Sequence, residues 1–188
     1  MNKRISGFLL AVVVVSLVIA IALGFLFGPG NPVPWVLMAV LFLIPVVHNR
    51  IVGQRFVAWD DRYSVRVSAL DDDHRRLLHL INNLQTAAHY PTGEAFERQA
   101  LDELVDYTRT HFKREEELMA AHGYPAYEEH KRQHEAMIAK VEQFLEAYGK
   151  DPADTIEEMV QFLKQWLLNH IAGTDQQYSD FLNSKGVH

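Results

Sequence analysis

The chain has 188 residues, no cysteine, 18 basic and 24 acidic residues, and a formal charge of −6. The charge is unevenly placed: residues 1–58 hold Lys3, Arg4, Arg50 and Arg55 and no acid, so residues 59–188 carry the remaining 14 basic and all 24 acidic residues, net −10. That acidity argues against a nucleic-acid partner, and the missing cysteines exclude disulfides, thiolate metal sites and cysteine nucleophiles.

Residues 5–27 are uncharged, with Ser6 and Ser16 their only hydroxyls. As a helix they span roughly 35 Å, enough to cross a hydrocarbon core of about 30 Å and longer than the apolar region of a secretory signal. Gly28-Pro29-Gly30-Asn31-Pro32 reads as a tight turn. A second apolar run, 33–47, stops at His48-Asn49-Arg50 and spans about 22 Å, short for a crossing unless Arg50 snorkels and Pro34 begins the helix. Two arrangements follow. In a transmembrane hairpin (helices about 5–27 and 33–52, anchor 1–53), Lys3, Arg4, Arg50 and Arg55 all lie on one side, which the positive-inside rule makes the cytoplasm. In the other, the first run alone crosses and the second lies in the interface. Basic residues at both ends of an uncharged turn favour the hairpin, a multi-pass membrane protein with its acidic domain in the cytoplasm. Gly24-xxx-Gly28 has the spacing of a close helix contact, a weak signal in an apolar run.

Residues 54–70 lack helical periodicity and are expected to form an extended arm. Residues 71–188 then carry the apolar periodicity of four amphipathic helices. The first covers about 71–88, with a stripe of Leu70, Leu77, Leu78, Ile81 and Leu84 and with Asp71, Asp72 and Asp73 suited to its positive end. Pro91-Thr92-Gly93 breaks the chain. The second covers about 94–121 (Leu101, Leu104, Val105 and Leu118 inward), and Gly123 and Pro125 punctuate it. The third covers about 126–148. The fourth runs from Asp151-Pro152 to about 172 through Ile156, Met159, Val160, Leu163, Leu167 and Leu168, and Tyr178, Phe181 and Leu182 cap one end of the core. Short loops make this an all-α, up-down-up-down four-helix bundle.

Candidate metal ligands fall one set per helix. His111-xxx-Glu115 and His130-xxx-His134 each place two metal-capable side chains one turn apart on one face. One such pair alone is ordinarily a solvated face. Two of them, with His74 on the first helix and His170 on the fourth, form a set of the kind a bundle core can hold. Asp175 lies five residues after His170, about 140° away on a regular helix, and reaches the same place only if the helix ends or loosens near Gly173. His48, His79, His89, His122 and His188 have no partner at ligand spacing and read as surface residues. In Lys113-Arg114-Glu115-Glu116-Glu117 only Glu115 is expected to turn inward.

The pattern His74, His111-xxx-Glu115, His130-xxx-His134, His170-xxxx-Asp175 resembles the hemerythrin family in its bacterial form. Trp59-Asp60-Asp61, Glu116-Glu117-Leu118-Met119, Tyr124-Pro125 and Trp166-Leu167-Leu168-Asn169-His170-Ile171 support it, over about 56–184. Asp73 departs from the pattern, since bacterial members commonly carry glutamine there; so does the apolar leader, which the soluble carriers lack.

The resemblance implies a non-haem centre of two iron ions. One would take His130, His134 and His170, the other His74 and His111, with Glu115 and Asp175 bridging. Five histidines, two bridging carboxylates and a bridging oxide or hydroxide leave two octahedral irons one bond short, on the two-histidine iron, and dioxygen would bind there. Passing two electrons and the hydroxide proton to dioxygen leaves the net charge unchanged, which a low-dielectric core favours. Trp166, Leu167 and Ile171 would wall the oxygen pocket; as plain core residues they would have the same periodicity. The Glu-x-x-His pairs of ferritin-like oxidases are missing, which argues against substrate oxidation. The implied function is reversible dioxygen binding at the bilayer, without enzymatic turnover, for delivery to a membrane oxidase or oxygenase or for sensing through a partner. The alternatives are a di-iron reductase of nitric oxide, peroxide or oxygen, and an interaction subunit that joins a membrane complex or forms a homo-oligomer through its anchor.

Overall fold

A computed structural model describes the backbone of residues 3–53, 56–90 and 92–188. Arg55 and Pro91, and the side chains of Lys3, Arg4 and His48, which entered the expectations above, lie outside the described residues. The chain divides into two compact units, Met1–Phe56 and Val57–His188.

The first unit is a pair of helices, α1 (Lys3–Phe25) and α2 (Pro32–Gly53), packed on each other. Their turn is closed by short-range contacts. The Trp35 indole N–H donates to the Pro29 carbonyl at 3.1 Å, the Phe25 and Trp35 rings meet edge-on at 5.4 Å, and Asn31 accepts from the Val33 N–H. Gly24 lets the ring of Pro34 approach: a Cβ there would sit 3.1 Å from Pro34 Cγ. Phe8–Phe25 is long and apolar enough to cross a membrane; the apolar part of α2, Pro32–Val47, is shorter. Pro45 sits inside α2, where it removes one backbone hydrogen bond.

The second unit holds α3 (Ser68–His89), α4 (Glu94–His122), α5 (Tyr127–Tyr148) and α6 (Pro152–Asn169), then a π-helical segment His170–Asp175 and α7 (Gln176–Ser184). Helix α3 packs on α4 and α6, and α5 on α4 and α6, so the four form a closed ring in chain order. Its core contains Leu77, Leu78, Ile81, Leu84, Leu101, Leu104, Ile156, Met159, Val160, Leu163 and Leu167. Val105, Leu118 and Leu168 are only partly buried. A second cluster of Val65, Val67, Leu70, Met119, Tyr178 and Leu182 closes one end of the bundle.

The arm differs from the extended segment expected. It contains a 3-10 turn at Asp61–Tyr63, capped by Asp60 accepting from the Arg62 N–H at 3.0 Å, and helix α3 already begins at Ser68. Asp71 lies in the first turn of α3 and reaches back to the arm, accepting from the Val65 N–H at 2.8 Å and from the Ser64 hydroxyl. From the other side, Ser179 Oγ donates to the Val65 carbonyl at 2.7 Å and Gln176 Nε2 to the Ser64 carbonyl at 3.1 Å. The arm is thus hydrogen-bonded to both α3 and α7.

Candidate metal centre

Each bundle helix delivers its polar residues to one buried point. His74 on α3, His111 and Glu115 on α4, His130 and His134 on α5, and His170 and Asp175 from the π segment are all at most 5% exposed. The π segment explains the last pair. Its i→i+5 bonding brings residues five apart near to eclipsing one another, so Asp175 Oδ1 lies 3.0 Å from His170 Nε2 instead of on the far side of a regular helix.

Glu115 stands in the middle. Its Oε2 lies 3.2 Å from His134 Nε2, 3.5 Å from His130 Nε2 and 3.6 Å from His111 Nε2. Asp175 faces both sides, with Oδ2 3.3 Å from His74 Nε2 and Oδ1 3.6 Å from His130 Nε2. Two sets of donor atoms are close enough to hold an ion, Glu115-His130-His134-His170 and His74-His111-Glu115, and Glu115 belongs to both.

The cluster is unsatisfied as it stands. Both nitrogens of His74 and all four carboxylate oxygens of Glu115 and Asp175 are buried without a hydrogen-bond partner, close to neighbouring imidazoles but outside bonding geometry. His134 Nε2 lies 3.1 Å from both His130 Nε2 and His170 Nε2. Neutral imidazoles pointing their lone pairs at one another repel, and buried polar atoms without partners cost free energy. A cation among them satisfies both conditions, and imidazole with carboxylate is a donor set suited to a divalent transition metal.

Electrostatics agree with that reading. Burial by itself would raise the Glu115 carboxyl, yet contacts with His130 and His134 hold it well below the ordinary glutamate range. Burial and the neighbouring Glu115 work against ionisation of Asp175, but His170 and His74 bring it down to about 2. Burial opposes protonation of His74, but Asp175 and then Glu115 raise it above the ordinary histidine value. His111 is lowered, by burial above all.

Several residues around the cluster were not singled out by their spacing. His134 Nδ1 lies 3.0 Å from Glu116 Oε1, and His111 Nδ1 lies 3.4 Å from Asp73 Oδ2. In both cases an Nδ1–H donor leaves Nε2 facing inward. Glu116 and Arg114 are therefore not simply part of a solvated face: Glu116 supports His134, and Arg114 pairs with Asp73. Phe112 stacks flat on His134 at 3.7 Å, and Trp166 stacks on His170 at 4.2 Å. Tyr178 puts a fully buried hydroxyl without a partner next to His130, its ring 5.5 Å away. Burial first, then the charges of Glu115 and Asp175, raise that hydroxyl well above the usual tyrosine range.

Of the expected pocket residues, Trp166 and Leu167 line an apolar cavity of about 20 Å³ with Leu77, Phe112, Met137 and Leu163, while Ile171 is buried but not in its wall. Such a volume holds about one water-sized molecule. Of the remaining histidines, His79 and His188 are exposed, and His122 lies 2.9 Å from the Leu118 carbonyl through Nδ1.

The hemerythrin HHE cation binding domain model matches residues 65–182, a span that contains all seven clustered residues. Similar proteins include a bacteriohemerythrin of Stenotrophomonas maltophilia, 38% identical over 126 residues, which cover 66% of this chain and 80% of that protein. A hemerythrin-like protein of Naegleria gruberi is 33% identical over 124 residues, covering 66% of this chain and 92% of that one. A crystal structure of wild-type hemerythrin matches with a TM-score of 0.60 at 27% identity, over 67% of this chain and 97% of that one. With the family model spanning the bundle and its buried histidine–carboxylate cluster, the chain belongs to the hemerythrin family, whose domain implies a non-haem iron site.

Proposed function

We propose that this chain binds dioxygen reversibly at a centre of two irons held by His74, His111, Glu115, His130, His134, His170 and Asp175. The observation that carries the reading is the set of orphaned buried atoms on His74, Glu115 and Asp175, with a carboxylate shared between two donor groups. An iron pair held by these residues would supply the reversible redox chemistry that dioxygen binding needs. The protein's own residues do the rest. Glu115 and Asp175 lie between the two histidine sets, Glu116 and Asp73 orient His134 and His111, and Phe112, Trp166 and Leu167 exclude bulk water from the cavity beside them.

The test is anaerobic iron loading followed by optical spectra as oxygen is admitted and removed. The reading expects about two irons per chain and an absorption band that appears with oxygen and disappears under vacuum. Oxygen consumption without a reversible band favours a reductase of oxygen, peroxide or nitric oxide instead.

We further propose that the α1–α2 hairpin inserts in the lipid bilayer with both its ends and the iron domain in the cytoplasm, where the domain serves a membrane oxidase or oxygenase or a sensing partner, or assembles into a homo-oligomer. Support comes from the length of Phe8–Phe25 and from the closed turn between the helices. The chain has no native cysteine, so single-cysteine labelling is free of background. In intact cells, Gly30→Cys should react with an impermeant maleimide while Ser184→Cys stays protected; labelling of both, or of the second alone, rules out the hairpin orientation.

A further inference from the structure

Asp73 is a buried carboxylate, its side chain 3% exposed, immediately before His74 on α3. All of its polar contacts run to α4. Oδ1 accepts from the Tyr107 hydroxyl at 2.7 Å, both oxygens accept from the Arg114 guanidinium, and Oδ2 lies 3.4 Å from His111 Nδ1. Arg114 is itself 43% exposed, so the group joins solvent, a guanidinium, a buried carboxylate and one imidazole in series. A simple helix-to-helix ion pair needs only Asp73 and Arg114. The third contact, to His111, is what that explanation leaves over.

A neutral imidazole has one N–H. With Asp73 accepting at Nδ1, that proton stays on Nδ1 and Nε2 keeps its lone pair directed at Glu115 and the interior, where His111 Nε2 lies 3.6 Å from Glu115 Oε2. A carboxylate behind an imidazole also makes it a stronger donor to an ion, and a cation on that carboxylate withdraws part of the effect. We propose that Asp73 is the positioning residue for His111, and that Arg114, with Tyr107, sets how much of the Asp73 charge is felt by an ion at His74, His111 and Glu115. This rests on the iron reading above and goes beyond it by assigning a tuning group outside the ligand set.

Charge tuning and mere packing predict different signs. Asp73→Asn keeps an acceptor of the same shape but removes the negative charge, so the higher oxidation state loses support and the midpoint potential of the iron-loaded chain rises. Arg114→Gln leaves the Asp73 charge uncompensated, so the potential falls. Tyr107→Phe removes a neutral donor and produces a smaller fall, and Arg114→Lys stays near wild type. Iron affinity should drop about 10- to 100-fold in Asp73→Asn, as is typical when such an outer partner is lost. The experiment is redox titration of the iron-loaded full chain in detergent, with helix content checked by circular dichroism. Shifts of the same sign in Asp73→Asn and Arg114→Gln, or no shift in Arg114→Gln, overturn the proposal even if wild type binds iron normally. Wild type that takes up no iron overturns the iron reading and this one together. If Asp73→Asn does not fold, the sign in Arg114→Gln and Tyr107→Phe decides, since Arg114 is partly exposed and its loss leaves the core packed.

Discussion

Asp175 Oδ1 lies 3.0 Å from His170 Nε2 although the two residues are five apart in sequence, because the helix carrying them runs as a π segment between α6 and α7. That irregularity places a second carboxylate opposite Glu115 and against both histidine sets. Asp175→Asn tests its part. The amide preserves the shape but removes a charge that an ion would neutralise, so the expected result is weaker iron binding with the helices retained. Thermal unfolding with and without ferrous iron under anaerobic conditions reads it out. Iron should raise the wild-type midpoint by mass action and raise that of Asp175→Asn much less. An equal rise in both chains removes Asp175 from the ligand set.

Two opposite pH dependences should be visible. Asp73 falls to about 2 from 3.8: burial opposes ionisation, but hydrogen bonds from His111, Tyr107 and Arg114 outweigh it. An aspartate lowered in the folded state stabilises above the unfolded value and loses that contribution as pH drops through the folded one, on the order of 2 kcal/mol over that window. Urea unfolding of the metal-free chain between pH 4 and pH 2 should therefore lose stability steeply, and Asp73→Asn should flatten the slope. His74 has the reverse sign. Raised above its ordinary 6.5, it stabilises the metal-free fold below that value and ceases to as pH rises through its folded value. An ion must displace this proton, so iron affinity should rise with pH while His74 is protonated, approaching tenfold per unit as one proton is released, and level off above the folded value. Chelator competition at several pH values measures it, and a flat profile contradicts the assignment.

The bundle and the pairing of His111 with Glu115 and of His130 with His134 were legible in the chain because both follow α-helical periodicity. Leu77, Ile81 and Leu84 mark a core face, and His111 with Glu115 or His130 with His134 repeat one turn apart. The site of irregularity was legible too, since the spacing from His170 to Asp175 needs one. The supporting groups were hidden for a physical reason. Asp73, Glu116 and Phe112 act on histidines of other helices, at contacts set by three-dimensional packing and not by spacing along one helix. The start of α3 was hidden in a different way: the helix begins at Ser68, three residues before Asp71, behind Val67, which has an extended backbone and no side-chain cap to announce the boundary.

Phe112 lies face to face with His134, 3.7 Å between ring centres, and lines the apolar cavity with Leu77, Met137, Trp166 and Leu167. Its removal acts on stability and water access at once. Phe112→Ala should cost about 3–5 kcal/mol by losing a buried ring and leaving a void, which chemical denaturation of the metal-free chain measures. In the iron-loaded chain the enlarged cavity admits water beside the ions, so the oxygen-dependent absorption band should decay several-fold faster. Phe112→Leu, which keeps the space filled with apolar atoms, should restore most of the lifetime. A lifetime unchanged in the alanine variant separates the cavity from oxygen retention.

The arm offers a test independent of metal. Asp71 holds the Val65 N–H and the Ser64 hydroxyl, while Ser179 holds the Val65 carbonyl, so one residue of the arm is fixed from two helices. Asp71→Ala leaves the buried Val65 N–H without an acceptor, a loss of about 1–3 kcal/mol. Val65 belongs to the small cluster that also contains Tyr178, so loosening it should be felt where α7 leaves the π segment. The expected signature is faster hydrogen exchange at Val65 and along α7, with α4 and α5 unchanged, together with a lower unfolding midpoint. Slow exchange along α7 in Asp71→Ala would mean that Ser179, Gln176 and the apolar contacts of Tyr178 and Leu182 hold the end of the bundle without the arm.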